Sequence, residues 1–213
     1  MKTYAINLVG LERRRCVVVG GGTVAARKVA GLLEANANIV VISPQIVPEL
    51  EEYLAAGRIT LLRRIYHPGD LRGAFLVVAA TNDPEVNRAV AQEAESLGCL
   101  VNVVTEPMQS NFIVPAVLRR GDLTIAISSG GASPGLAQHL RMQLETIIGE
   151  EYATLTELLG ELRLAEQGES ESMNRRRIWV QRVLHSKILE IIRKEGREAA
   201  RAYLQHLLGT DET

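Results

Sequence analysis

Four apolar residues, Cys16-Val17-Val18-Val19, run straight into three glycines, Gly20, Gly21 and Gly22. Thr23 then opens a stretch with Val24, Ala25, Val29, Leu32 and Leu33 at helical spacing. The β-branched run reads as a strand and the 3.6-residue period as an amphipathic helix. Strand, glycine turn and helix in that order bring free backbone amides and the positive end of a helix to one point, which suits a dinucleotide pyrophosphate. Gly20, Gly22 and Ala25 match G-x-G-x-x-A, in which a small third residue lets helix and strand pack closely. A glycine triplet alone also marks ordinary tight turns. The flanking strand and helix favour a nucleotide site.

Strand and helix go on alternating. Strands are expected over 38–42, 58–63, 74–80 and 99–104, and a short one over 4–8. Helices are expected from Pro48 to Ala56 and from Pro84 to Gly98, the second capped by Asp83. That order gives an α/β, Rossmann-type, doubly wound parallel sheet of about five main strands. The pattern changes near residue 107. Residues 114–120 and 123–128 flank Gly121-Asp122 as a hairpin, and Ser128 to Ala132 form a loop before a helix capped by Ser133. Leu136, Leu140, Leu144 and Ile147 make one stripe on that helix. Beyond Gly149 the chain is helical. Leu155, Leu158, Leu159 and Leu162 share a face, a loop covers 168–172, and Ile178, Leu184, Ile188, Ile191 and Ile192 form a second stripe. A last helix runs from about Arg197 to Leu208.

Composition excludes several classes. A net charge of −1 across 213 residues gives no general attraction to nucleic acid or to an anionic membrane. No apolar run reaches the roughly 18 residues of a membrane span. The apolar stretch 5–11 is short and contains Asn7, so no secretory signal is read, and a cytoplasmic location is expected. Two cysteines outside any CxxC, and four histidines without ligand spacing, imply no metal site.

The segments VVVGGGTVAARK (17–28), VVAATNDPEVN (77–87), VNVVTEP (101–107) and NFIVPAVLRRGDLTIAISSGGASPGLA (111–137) stand in a telling order. Together they resemble the precorrin-2 dehydrogenase family, the N-terminal module of siroheme synthases that also occurs alone. The resemblance covers about residues 4–165. It implies that NAD takes a hydride from precorrin-2 to give sirohydrochlorin, and that some members also insert Fe(II). It implies a homodimer, with the hairpin and the following helix crossing between subunits. The expected organisation is a NAD-binding Rossmann domain over 1–112, a dimerisation module over 113–148 and a helical domain over 149–213.

Site residues follow from the same resemblance. Gly20, Gly21, Gly22, Thr23 and Val24 would hold the pyrophosphate. Ser43, Pro44 and Gln45 would border the adenosine ribose, and Ala80, Thr81 and Asn82 would line the nicotinamide side. Arg119, Arg120 and Arg141 suit the substrate's carboxylates. Ser129 aligns with a serine that is phosphorylated in one branch, and otherwise reads as a loop hydroxyl at the substrate side.

Two departures stand out. The acid that usually binds the ribose 2′-OH about 20 residues past the glycines is replaced by Ser43, with no arginine beside it in sequence. The family's catalytic Asp is replaced by Thr105, followed by Glu106. A one-residue step along an extended chain turns a side chain to the other face. Pro107 forces an irregular exit, however, and Glu is longer than Asp. Glu106 is therefore read either as a substitute base or as a surface acid. Thr105 can hydrogen-bond substrate but is no base near neutral pH. Dehydrogenase-only activity is favoured. The alternatives are a bifunctional dehydrogenase and ferrochelatase, and a non-catalytic nucleotide-sensing module.

Overall fold

The computed structural model describes residues 2–165 and 172–209. The chain divides into two compact units, Met1–Val114 and Pro115–Thr213. The first is built on β1 (Arg15–Val19), α1 (Thr23–Glu34), β2 (Asn38–Ile42), α2 (Pro48–Ala55), β3 (Thr60–Leu62), β4 (Ala74–Ala79), α3 (Pro84–Ser96) and β5 (Leu100–Val103). The sheet order is β3-β2-β1-β4-β5 and every pairing is parallel. This is the expected doubly wound fold. β1 is central, and Val17, Val18 and Val19 are buried because both sheet faces are covered. Val18 faces a core shared with Ala25 and Val29 of α1 and Leu50 of α2. Val17 and Val19 face Val90, Ala91 and Ala94 of α3.

Local signals fix the boundaries. The Asp83 carboxylate accepts from the Glu85 and Val86 amides at 2.9 and 3.4 Å, and Pro84 opens α3 where its missing N–H costs nothing. The free edge of β5 is covered by the chain that follows it. Asn111 Oδ1 accepts from the Val101 amide at 2.7 Å, Ser110 Oγ accepts from the Val103 amide at 2.9 Å, and Asn102 Nδ2 donates to the Phe112 carbonyl at 3.2 Å. The strand expected over 4–8 does not form, since residues 2–10 carry no regular structure. A strand needs a ladder partner, and β1 is already paired on both sides by β2 and β4. Only Leu8 of that expected strand packs on the core, while Tyr4 and Ile6 stay exposed.

The second unit starts with the hairpin β6 (Ala116–Arg120) and β7 (Leu123–Ile127), followed by α4 (Pro134–Ile147), α5 (Glu151–Ala165), α6 (Ser172–Leu184) and α7 (Ile188–Gly209). Its core joins Leu155, Leu158, Val183, Ile188, Ile192, Ala200 and Leu204. The expected stripe from Ile178 to Ile192 is split: Ile188 and Ile192 are buried, but Ile178 and Leu184 are exposed. Among the described side chains of α6, Val183 is buried in that core and Trp179 packs against it, and the periodicity passed over both. Of the loop expected over 168–172, residues 168–171 lie outside the described residues, and Ser172 is the first of α6. Gly196, at φ 85°, breaks α7 just before the start expected for the last helix. The stripe on α4 does not face a core. Leu136, Leu140 and Ile147 are 52%, 38% and 65% exposed, and Ala137 is the buried residue of that helix.

Candidate active site

The glycine turn is shaped by what its backbone must pass. Gly20 sits at φ 125°, and a Cβ there would collide with the Ala80 carbonyl. A Cβ on Gly21 would collide with the Gln45 carbonyl and come within 2.6 Å of Ser43 Oγ. Backbone bonds lock this packing. The Gly20 amide donates to Ile42 O at 2.9 Å, the Val47 amide to Gly21 O at 2.9 Å, and the Ala80 amide to Val19 O at 2.8 Å. Gly22 differs, since a Cβ built on it meets nothing within 4 Å. The space above it is open, which is a cradle that a side chain would fill.

Gly22 is also the N-cap of α1. Among the described residues no side chain caps that end, and no acid lies in its first turn. The leading amides of α1 therefore keep their donors and the dipole keeps its positive end unneutralised. A glycine turn that admits backbone approach, joined to an uncapped helix start, fits a dinucleotide pyrophosphate. Thr23 is exposed and Val24 half-buried at that start.

The loop after β2 borders the turn. Pro44 and Gln45 are exposed, but Ser43 is buried and its hydroxyl donates to the Gln45 carbonyl at 2.6 Å. Its proton thus holds the loop and is not offered to a ribose. Near neighbours in sequence include no arginine, yet the parallel register of β2 with β3 puts Leu62 beside Ile42, and Arg63 follows directly. Arg63 pairs with Glu51 at 2.8 Å, and both are about half exposed.

The loops after β4 and β5 meet through a residue that sequence reasoning missed. Asn87, buried on α3, bonds Thr81 and Thr105 together. Its signal was legible: a polar side chain in helical register with buried Val90, Ala91 and Ala94. Thr81 and Ala80 are half-buried, and Asn82 and Thr105 are exposed. Glu106 turns a different way. Its carboxylate accepts a short bond from Gln109 Nε2, and its carbonyl accepts from the Gln109 amide at 3.0 Å. Neighbouring Thr105 and Glu106 are thus held by different elements. Cys16, in the core below, is no nucleophile, because burial pushes its thiol up to about 11.

The residues expected at the substrate lie in the second unit. The Ser129 hydroxyl accepts from the Ser133 amide at 2.8 Å, and Ser133 caps α4 by accepting from the Leu136 amide at 3.3 Å. Arg119 is exposed on β6. Arg120 is only 12% exposed; its Nε donates to the Ile148 carbonyl at 2.9 Å and lies 3.3 Å from Glu150. That guanidinium closes the C-terminal end of α4. Arg141 pairs with Glu145 one turn on, at 2.9 Å. Among the described residues no group of His, Cys, Asp or Glu could hold a metal, and no helix is long and apolar enough to cross a membrane.

The chain is similar to known proteins in sequence and in fold. The sequence family described as "Putative NAD(P)-binding" matches residues 8–116, and that described as "Sirohaem biosynthesis protein central" matches residues 120–146. A solved structure of SirC, precorrin-2 dehydrogenase, superposes with a TM-score of 0.77 at 32% identity, covering 96% of this chain and 98% of that one. The chain belongs to the precorrin-2 dehydrogenase family. Siroheme synthase of Methylobacillus flagellatus is 43% identical over 208 residues, or 98% of this chain and 44% of that protein. Siroheme synthase 2 of Aeromonas salmonicida is 42% identical over 202 residues, or 94% and 42% respectively. The chain therefore spans less than half the length of these siroheme synthases. In this chain the NAD(P)-binding match precedes the siroheme-biosynthesis match.

Proposed function

We propose that this chain oxidises precorrin-2 to sirohydrochlorin with NAD. The observation that carries the proposal is the open cradle at Gly22 on an uncapped α1, in a fold that matches SirC over 98% of that chain. NAD, when bound, supplies the hydride acceptor. The chain's own groups do the rest. The amides of Gly21, Gly22, Thr23 and Val24 bind the pyrophosphate, with Gly20 giving the turn. Pro44 and Gln45 border the ribose, and Ser43 holds that loop in place. Ala80, Thr81 and Asn82 orient the reacting ring, and Thr105 contacts substrate. Orientation alone can lower such a barrier by several kcal/mol. The substrate also loses a proton, which passes to water or to Glu106.

Arg119, Arg141 and Ser129 bind substrate carboxylates, while Arg120 supports them by closing α4. The exposed Leu136, Leu140 and Ile147 support a homodimer formed through residues 113–148, with residues 1–112 as the Rossmann domain and 149–213 as the helical domain. The protein works in the cytoplasm. The resemblance to siroheme synthases supports iron insertion as a second reading, for which Glu106 offers the carboxylate nearest Thr105 in sequence.

The test is direct. Purified chain with precorrin-2 and NAD should build NADH absorbance together with a sirohydrochlorin spectrum, and absence of turnover overturns the proposal. Fe(II) insertion into sirohydrochlorin above the spontaneous rate would establish the second activity.

A further inference from the structure

The side chain of Asn87 makes four hydrogen bonds, and the residue has no exposed surface. Its Oδ1 accepts from the Thr81 amide at 3.2 Å and from the Thr81 hydroxyl at 2.8 Å. Its Nδ2 donates to the Thr81 carbonyl at 3.0 Å and to Thr105 Oγ1 at 3.2 Å. The orientation of the carboxamide is unambiguous: an amide N–H can only donate and a carbonyl can only accept, so Thr81 fixes both ends. Nδ2 has only protons to give, so Thr105 Oγ1 must accept. Thr105's own proton is left over. Among the described residues its hydroxyl has no other partner, and Thr105 is exposed.

The two threonines leave the carboxyl ends of adjacent strands. Ala79 pairs with Val103, and the Val104 amide donates to Ala79 O at 3.0 Å. The chain turns from β1 toward β2 on one side and β4 on the other. Open α/β sheets take their ligands at such a switch point, outside the strand ends. A merely structural α3 would be served by an apolar residue at position 87, in line with Val90 and Ala94.

We propose that Asn87 is a positioning residue of the reaction centre, holding the Thr81 loop against the coenzyme and turning the Thr105 hydroxyl outward as a hydrogen-bond donor to substrate. The assignment rests on the dehydrogenase reading of this site. Asn87 touches neither ligand and acts through both threonines. Thr81 then governs coenzyme affinity and Thr105 governs turnover.

The test is a double-variant cycle read by NAD calorimetry and by single-turnover hydride transfer. Asn87→Ala should weaken NAD binding about tenfold, whereas Thr105→Val leaves it within about twofold. Thr105→Val should slow hydride transfer about tenfold, and Thr105→Ser should restore it. In the Asn87→Ala background, Thr105→Val should add less than about twofold, because an unaimed hydroxyl has little left to lose. Fully additive effects, or an Asn87→Ala protein that binds NAD like the parent, would overturn the assignment. If Asn87→Ala does not fold, equal rates for Thr105→Val and Thr105→Ser overturn it instead. If the parent binds NAD but leaves precorrin-2 unchanged, the proposed reaction fails, and Asn87 is judged on coenzyme affinity alone.

Discussion

Single residues separate what folds the first unit from what serves its ligand. A Cβ on Gly21 has nowhere to go, because it meets the Gln45 carbonyl and Ser43 Oγ. Gly21→Ala should therefore cost about 1–3 kcal/mol of stability and weaken NAD binding as well. A Cβ on Gly22 meets no protein atom within 4 Å. Gly22→Ala should keep its melting temperature within a few degrees yet lose NAD affinity by at least about tenfold, since in the proposed binding mode its methyl would take the space of the phosphate. Thermal unfolding and calorimetry on the two variants check both outcomes. The glycines were legible in sequence because they sit between a plain strand and a plain helix. The fates of Ser43, Arg120 and Asn87 were not, because each depends on partners that are not adjacent in the chain or on which way a hydroxyl turns.

Arg64 and Asp70 add a pH dependence at the same scale. A two-pronged bond from Arg64, at 2.7 Å to each carboxylate oxygen, holds Asp70 below the usual carboxylate range. A depressed pKa contributes stability that is present above the ordinary Asp value and is lost as pH falls through the lowered one. Urea midpoints of the parent and of Asp70→Asn should therefore differ at pH 7 and converge under acid. A gap that does not depend on pH would contradict the linkage.

Among the elements, helix α4 carries the strongest expectation. Its leucines and Ile147 form the apolar stripe that the spacing predicts, but Leu136, Leu140 and Ile147 on it are exposed. Periodicity reports that a face is apolar and says nothing of what covers it. If the proposed homodimer forms through this face, Leu140→Glu with Ile147→Glu should convert it to a monomer in sedimentation while leaving the helical signal intact. A double variant that still sediments as a dimer moves the proposed interface elsewhere. In α7, Gly196 adopts φ 85° and ψ −173°, an essentially glycine-only region that an L side chain enters at a cost of about 1–3 kcal/mol. Gly196→Ala should lower stability by that order in chemical unfolding.

At the scale of the whole molecule, the chain forms two compact units, the first with an apolar cluster on each face of its sheet and the second with one of its own. The proposed coenzyme site lies in the first unit, within the residues matched by the NAD(P)-binding family. Calorimetric scans should therefore resolve two transitions and show coenzyme moving one of them, by about 2.7 kcal/mol at a hundredfold excess over Kd. One transition that shifts as a whole would mean that the units unfold together.

Taken by itself, the sequence determined the order of strands and helices, the parallel sheet, the glycine turn and the helix caps at Asp83 and Ser133. These are local: strand alternation, helical period and cap chemistry act over a few residues, so neighbours in the chain suffice to read them. Only the tertiary structure decided that residues 4–8 stay out of the sheet, that Ser43 faces inward, that Arg63 pairs with Glu51 and that Asn87 ties Thr81 to Thr105. Each of these depends on which strand lies beside which, and on where a buried polar group finds its partner. That partner comes from a distant stretch of chain, because an unpaired polar group in the interior is too costly to leave.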